Sequence, residues 1–180
     1  MALFVISGVP AAGKSTVGRL LAGRLHQAVY VPGDTIRSMV VTRRAGLSPD
    51  AGEEFRQLLL RYQSALAVAS VYLRAGFHAI VEDVIIGPIL SEFLALVPVP
   101  EVHLVFLNPD ARAVAERDRT RAKTAYDDDR WNVDDLRGVL SGHTSRLGLW
   151  LDSTDLTADQ TVDRILSDLA ASLVYPAHVR

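Results

Sequence analysis

Eight consecutive residues near the start of the chain carry its clearest chemistry: Gly8-Val9-Pro10-Ala11-Ala12-Gly13-Lys14-Ser15. Two glycines bracket four residues, and a lysine and a hydroxyl residue follow. Such a loop can turn several backbone N–H groups toward one anion. An amphipathic stretch comes next, with Val17, Leu20, Leu21 and Leu25 at helical spacing and Arg19 and Arg24 elsewhere on the wheel. The start of that helix adds a partial positive charge at the same point. Lys14 offers a mobile cation to outer phosphates and Ser15 a hydroxyl oxygen to Mg2+. The segment from Gly8 to Thr16 is therefore expected to hold a nucleoside triphosphate. A glycine-rich turn with a chance lysine is the competing reading. Lysine usage argues against it: of 19 basic residues only Lys14 and Lys123 are lysine, and the rest are arginine. The G-x-G-x-x-G spacing of a dinucleotide-binding turn is absent, because Val9 and Pro10 follow Gly8.

Binding a triphosphate leaves the reaction open, and the acids at the ends of other apolar runs address it. Asp34 lies in Val31-Pro-Gly-Asp-Thr-Ile-Arg37, directly after the second run. Carboxyl ends of parallel strands line the ligand crevice of an open sheet. A carboxylate there can take the proton of a substrate hydroxyl as its oxygen attacks phosphorus. A plain helix N-cap is the alternative for Asp34. Glu82 and Asp83 close a third run, His78-Ala-Ile-Val-Glu-Asp, where an acid that orders Mg2+ is expected. Successive strand residues point to opposite faces, so one of the two faces the metal, and the sequence does not decide which.

A cluster of arginines follows the fourth run: Arg117-Asp-Arg119-Thr-Arg121-Ala-Lys123, flanked by Glu116 and by Asp127–Asp129. Arg117 and Arg121 are four apart and share a helix face. They could close over the triphosphate as a lid, and a supplied arginine of this kind is worth roughly 10³–10⁵ in rate. The alternative is a solvated helix end whose charges pair among themselves, each pair contributing about 0–1 kcal/mol. Tyr126 and Trp131 are expected to pack the lid on the body, and the acidic run to be a solvated loop.

These residues need a scaffold, and the rest of the chain describes one. Short apolar runs at 3–7, 28–31, 79–84 and 102–107, with a weaker one at 148–151, lack polar alternation, as strands covered on both faces do. Helical stretches are expected at 34–43, 51–75, 88–97, 109–122 and 158–173. The last is announced by a capping box, Thr157-Ala-Asp-Gln160, ahead of Val162, Ile165, Leu166 and Leu169. Alternating strands and helices over 180 residues without a linker imply a single α/β doubly wound domain. Cysteine is absent, which excludes disulfides, thiolate zinc sites and cysteine nucleophiles. His26, His78, His103, His143 and His178 show no metal-ligand spacing, and no G-x-S-x-G elbow occurs. A formal net charge of −2 disfavours a nucleic-acid partner. The region 79–100 is interrupted by Glu82, Asp83 and Glu92, short of a membrane span, and no positive charge precedes the apolar start as a signal peptide needs. A cytoplasmic protein is the expectation.

Taken together, the phosphate loop, the aspartate after the second strand, the acid pair in Ile80-Val-Glu82-Asp83-Val and the arginine segment resemble the small P-loop kinases of the adenylate-kinase-like superfamily. Within it the chain is most similar to the chloramphenicol phosphotransferase-like group. That resemblance implies a three-layer domain with a five-stranded parallel sheet and a helical lid at about 117–135. It also implies ATP and Mg2+ as co-substrates, Asp34 as catalytic base and transfer of the γ-phosphoryl group to a hydroxyl. Gly-Asp34-Thr-Ile-Arg37 looks like the monophosphate-gripping segment of adenylate kinases, which makes Arg37 a substrate-binding candidate. The Asp-Gly-Phe-Pro-Arg signature of those enzymes is replaced by Glu82-Asp83-Val-Ile-Ile, so a nucleotide acceptor does not carry over. The segment 35–75 is expected to build the acceptor pocket, and Ser153 and Thr154 sit where such kinases place an adenine loop. The function expected is an ATP-dependent phosphotransferase acting on a small hydroxyl-bearing molecule. The alternatives are a nucleotide-binding switch or ATPase module, and a polynucleotide or nucleotide-sugar kinase using Arg37, Arg43, Arg44, Arg56 and Arg61. The acceptor and the oligomeric state are left open.

Overall fold

Leu-Phe-Val-Ile-Ser forms β1 (Leu3–Ser7), and all five residues are buried. Such a run suits a central strand, where both faces are covered and no polar side is needed. The computed structural model describes residues 1–42, 51–119 and 133–176. After β1 come α1 (Lys14–Arg24), β2 (Ala28–Pro32), α2 (Gly33–Ser38), α3 (Ala51–Arg74) and β3 (His78–Glu82). They are followed by α4 (Ile89–Leu96), β4 (Val102–Leu107), α5 (Ala111–Arg119) and α6 (Val133–His143). The chain then forms β5 (Leu149–Leu151), α7 (Ala158–Ser167), α8 (Leu169–Ser172) and β6 (Leu173–Val174).

The sheet order is β2-β3-β1-β4-β5, and every neighbouring pair on this path is parallel. With right-handed crossovers, the β1-to-β2 connection lays α1 on one face and the return to β3 lays α3 on the other. The packing agrees: α1 contacts α7, while α3 contacts α4. The core lies on both sides of β1 and β4 and includes Val5, Ile6, Leu21, Ile80, Phe93, Leu104 and Phe106, all under 1% exposed. Because the strand order reverses around β1, the crevice beyond its carboxyl end opens where the phosphate loop begins.

The doubly wound parallel sheet expected from the sequence is present, with four differences. β6 adds a short antiparallel strand on β4, with Val102 opposite Val174; two residues are too few to give a period. The helix expected at 158–173 breaks at Asp168, whose φ of −105° and ψ of 27° leave the helical range, and so divides into α7 and α8. The helix expected at 34–43 stops at Ser38. α6 was not anticipated, although Leu136, Val139 and Leu140 give it an apolar stripe packed toward the core. Among the described residues no helix is long and apolar enough to cross a membrane.

The capping box forms as read. Gln160 N donates to Thr157 Oγ1 at 3.1 Å, and Thr157 N donates to Gln160 Oε1 at 2.8 Å. Thr157→Ala is expected to cost about 1 kcal/mol, seen as a lower urea midpoint with the slope of the transition unchanged.

Candidate active site

The loop after β1 is shaped by three residues of positive φ: Gly8 at 144°, Ala11 at 60° and Gly13 at 97°. At Gly8 the requirement is also spatial, since a Cβ there would lie 2.5 Å from the carbonyl oxygen of Leu107. Gly13 is the left-handed N-cap residue of α1, whose first turn contains no acid to offset its positive end. Lys14 folds back over the loop, and its Nζ donates to the carbonyls of Gly8 at 3.1 Å and Val9 at 2.9 Å. Pro10, Ala11, Ala12, Gly13, Lys14, Ser15 and Thr16 line a cavity of about 630 Å³. Gly8 and Val9 are outside that lining and contribute the carbonyls that hold the lysine.

The acid pair is fixed against this loop by hydrogen bonds that run past the strand ends. Asp83 N donates to the carbonyl of Ile6 at 3.2 Å. Ser7 Oγ donates to the carbonyl of Ile85 at 2.8 Å and accepts from its N–H at 3.0 Å. Strand alternation then separates the two acids. Glu82 turns toward α1: its Oε1 accepts from Ser15 Oγ at 3.0 Å and from the Tyr30 hydroxyl at 3.1 Å. Asp83 turns toward α3 and α2: its Oδ1 accepts from Arg61 Nη2 at 2.8 Å and from Val84 N at 2.7 Å.

Asp83 sits in a tight, buried place. Its carboxyl is pushed above the ordinary value by burial, with the Arg61 guanidinium opposing that shift. Its Oδ2 and the Nε of Arg61 are buried without a hydrogen-bond partner among the described residues. The carboxyl also presses on α2, since a Cβ on Gly33 would lie 2.0 Å from Oδ2. Only a residue without a side chain fits there.

That contact sets the start of α2 and hence Asp34. The helix begins at Gly33 with Pro32 as N-cap residue, so Asp34 is inside the first turn and makes no cap bond. The N-cap alternative is thereby corrected: residue 34 comes two positions too late to cap this helix. Asp34 and Arg37 are exposed and line the same cavity as Lys14, Ser15, Glu82, Asp83 and Arg117.

Arg117 lies on α5 and reaches back to the loop. It donates to the carbonyls of Ala12 at 3.3 Å, Ser153 at 2.8 Å and Thr154 at 3.4 Å. The carbonyl-bearing turn is held in place by Asp152, whose Oδ1 accepts from the Thr154 hydroxyl at 2.6 Å and its N–H at 3.0 Å. Those bonds keep the Asp152 carboxyl below the ordinary range. Arg117 thus bridges the phosphate loop to the turn after β5. Arg121, Lys123, Tyr126, Asp127–Asp129 and Trp131 lie outside the described residues, as do Arg43 and Arg44.

Sequence reading passed over two contributors. Arg61 appeared only as one of several scattered arginines, and Tyr30 only as part of an apolar strand. Both act through partners far along the chain, Asp83 and Glu82, and no local spacing marks such pairs.

The sequence matches the family described as AAA domain over residues 3–143. The chain belongs to that family. This AAA domain has a P-loop kinase-like fold, and solved structures agree. A sugar kinase from a Janibacter species is 18% identical with a TM-score of 0.67, covering 98% of this chain and 97% of its own. The tunicamycin resistance protein of Deinococcus radiodurans is 20% identical with a TM-score of 0.68, covering 96% and 98%. A gluconokinase from Sinorhizobium meliloti is 18% identical with a TM-score of 0.61, covering 94% and 91%. No curated protein matches the sequence.

The ion pair of Arg61 and Asp83 gives a prediction with a defined pH dependence. Arg61→Met leaves a buried carboxylate unpaired and is expected to destabilise the protein by about 3–5 kcal/mol at neutral pH. Without the guanidinium the folded-state pKa of Asp83 rises further above the unfolded value of 3.8. A carboxyl raised in the folded state loses stability as pH rises through that pKa and regains it on acidification. The deficit against the unsubstituted protein, measured by urea unfolding at a series of pH values, should therefore shrink as pH falls toward 4.

Proposed function

We propose that this chain is an ATP-dependent phosphotransferase that moves the γ-phosphoryl group to a hydroxyl of a small molecule. One observation carries the reading: a single cavity is lined by an anion-binding loop with its lysine, by a hydroxyl and carboxylate in contact, and by an exposed carboxylate, Asp34. The names of the similar structures, a sugar kinase and a gluconokinase, support the same class of chemistry.

In this reading the N–H groups at the Gly13 end of the loop and the Lys14 ammonium bind the phosphates. Ser15 and Glu82 present hard oxygen donors that suit Mg2+, which when bound would draw charge from the phosphate oxygens. Among the described residues no group of three or more His, Cys, Asp or Glu could hold a metal alone. That fits an ion shared between protein and nucleotide rather than one caged by the chain.

Asp34 takes the proton of the acceptor hydroxyl while its oxygen forms the new bond to the γ-phosphorus and the bond to the ADP oxygen breaks. Arg37, one turn further along α2, orients the acceptor, and Arg117 adds positive charge beside the loop. Arg121 keeps the lid role that the resemblance implies. Asp83 is assigned to the α2 side of the pocket and Glu82 to the metal side. Residues 1–180 form one kinase domain in this reading, with the acceptor segment at about 35–75, and the enzyme is cytoplasmic.

Two substitutions test the roles. Asp34→Asn is expected to lower kcat by roughly 10²–10⁴ while ATP affinity is retained, measured by coupled ADP release and by titration of ATP. Turnover close to normal would remove Asp34 as the base. Lys14→Ala should weaken ATP binding and abolish transfer, and unchanged kinetics would refute the phosphate-loop assignment. ATP turnover with and without a panel of polyols, hydroxy acids and hydroxylated antibiotics tests the class. Hydrolysis that never responds to an acceptor would favour an ATPase module.

A further inference from the structure

Tyr30 lies behind the cavity, and the phosphoryl-transfer roles above leave it unused. Its place is nevertheless tightly built. On β2 it pairs with Ile80, two residues before Glu82 on the same face of β3, so its ring runs along the sheet toward the carboxylate. The ring fills the space above Gly18 of α1, where a Cβ would lie 2.7 Å from the ring carbon Cε2. The Arg19 guanidinium covers the ring 5.5 Å from its centroid. The hydroxyl donates to Glu82 Oε1 at 3.1 Å, the same oxygen that accepts from Ser15 Oγ at 3.0 Å. A tyrosine hydroxyl carries its proton at neutral pH, so toward this carboxylate it is the donor.

A glutamate carboxylate on a flexible stem can rotate away from a hydroxyl neighbour. A second donor to the same oxygen removes that freedom and leaves the other oxygen for a further ligand. Partners of this kind behind a metal-binding carboxylate commonly change metal affinity by about 10–100-fold when removed.

We infer that Tyr30 is a positioning residue of the cation site: its hydroxyl holds Glu82 Oε1 against Ser15 and so sets how strongly a divalent cation tightens nucleotide binding. The inference rests on the assignment of Ser15 and Glu82 to Mg2+ made above.

Isothermal titration with ADP, with and without MgCl2, tests it without any turnover. The quantity read is the ratio of the two dissociation constants, the gain conferred by Mg2+. Tyr30→Phe keeps the ring over Gly18 and removes only the hydroxyl. It is expected to leave metal-free ADP binding within about twofold and to cut the Mg2+ gain by about tenfold. Loss of ring packing alone would instead lower the melting temperature and leave the gain unchanged. Ser15→Ala serves as the reference. If Ser15→Ala removes the gain and Tyr30→Phe does not, the role of Tyr30 is overturned while the cation assignment stands. If neither substitution alters the gain, the cation assignment falls, and the role of Tyr30 with it. Should Tyr30→Phe fail to fold, Gly18→Ala replaces it: the added methyl must displace the ring. A reduced gain supports the inference and an unchanged gain overturns it.

Discussion

The site depends on a short continuation of β1–β3 pairing beyond the ends of the strands. Asp83 N reaches Ile6, and Ser7 exchanges two hydrogen bonds with the backbone of Ile85. These bonds tie the start of the phosphate loop to the acids that follow β3. They also set the register in which Ser15, eight residues beyond Ser7, meets Glu82. Buried polar groups must be paired, and Ser7, wholly buried, is satisfied only if the two segments lie in this alignment. The chemistry of the cavity therefore inherits its precision from the most buried part of the sheet.

On that frame the two acids become a partition. Alternation along a strand sends Glu82 to the α1 side and Asp83 to the α2 and α3 side. One joins a serine and a tyrosine, and the other an arginine and the bare backbone of Gly33. Two chemically different environments thus begin on opposite faces of one strand and converge in one cavity. Arg117 closes the third side by joining the loop to the turn after β5.

Much of this was legible from residue order. The apolar run at 3–7, the glycine and lysine spacing and the amphipathic stretch after it are local signals, and the structure places a strand, a loop and a helix there. The Thr157–Gln160 box is equally local and forms as expected. The alternation rule said that Glu82 and Asp83 face opposite ways, but not which faces Ser15, because that depends on which side of the sheet α1 lies. The pairs of Arg61 with Asp83 and Tyr30 with Glu82 are separated by 22 and 52 residues. Only the folded sheet brings them together. β6 and the break at Asp168 were hidden for a different reason: each involves one or two residues, below the length at which a period exists.

The contact between Gly33 and Asp83 reaches beyond this one molecule. Because the carboxyl fills the volume that a side chain at 33 would need, the two positions are not free to drift separately in descent. A lineage that exchanges the glycine has to shorten its neighbour across the gap in step, giving up the charge that Arg61 answers. Coordinated change at three places is a narrow evolutionary path. New pocket shapes would therefore arise more readily by variation around this triad than through it.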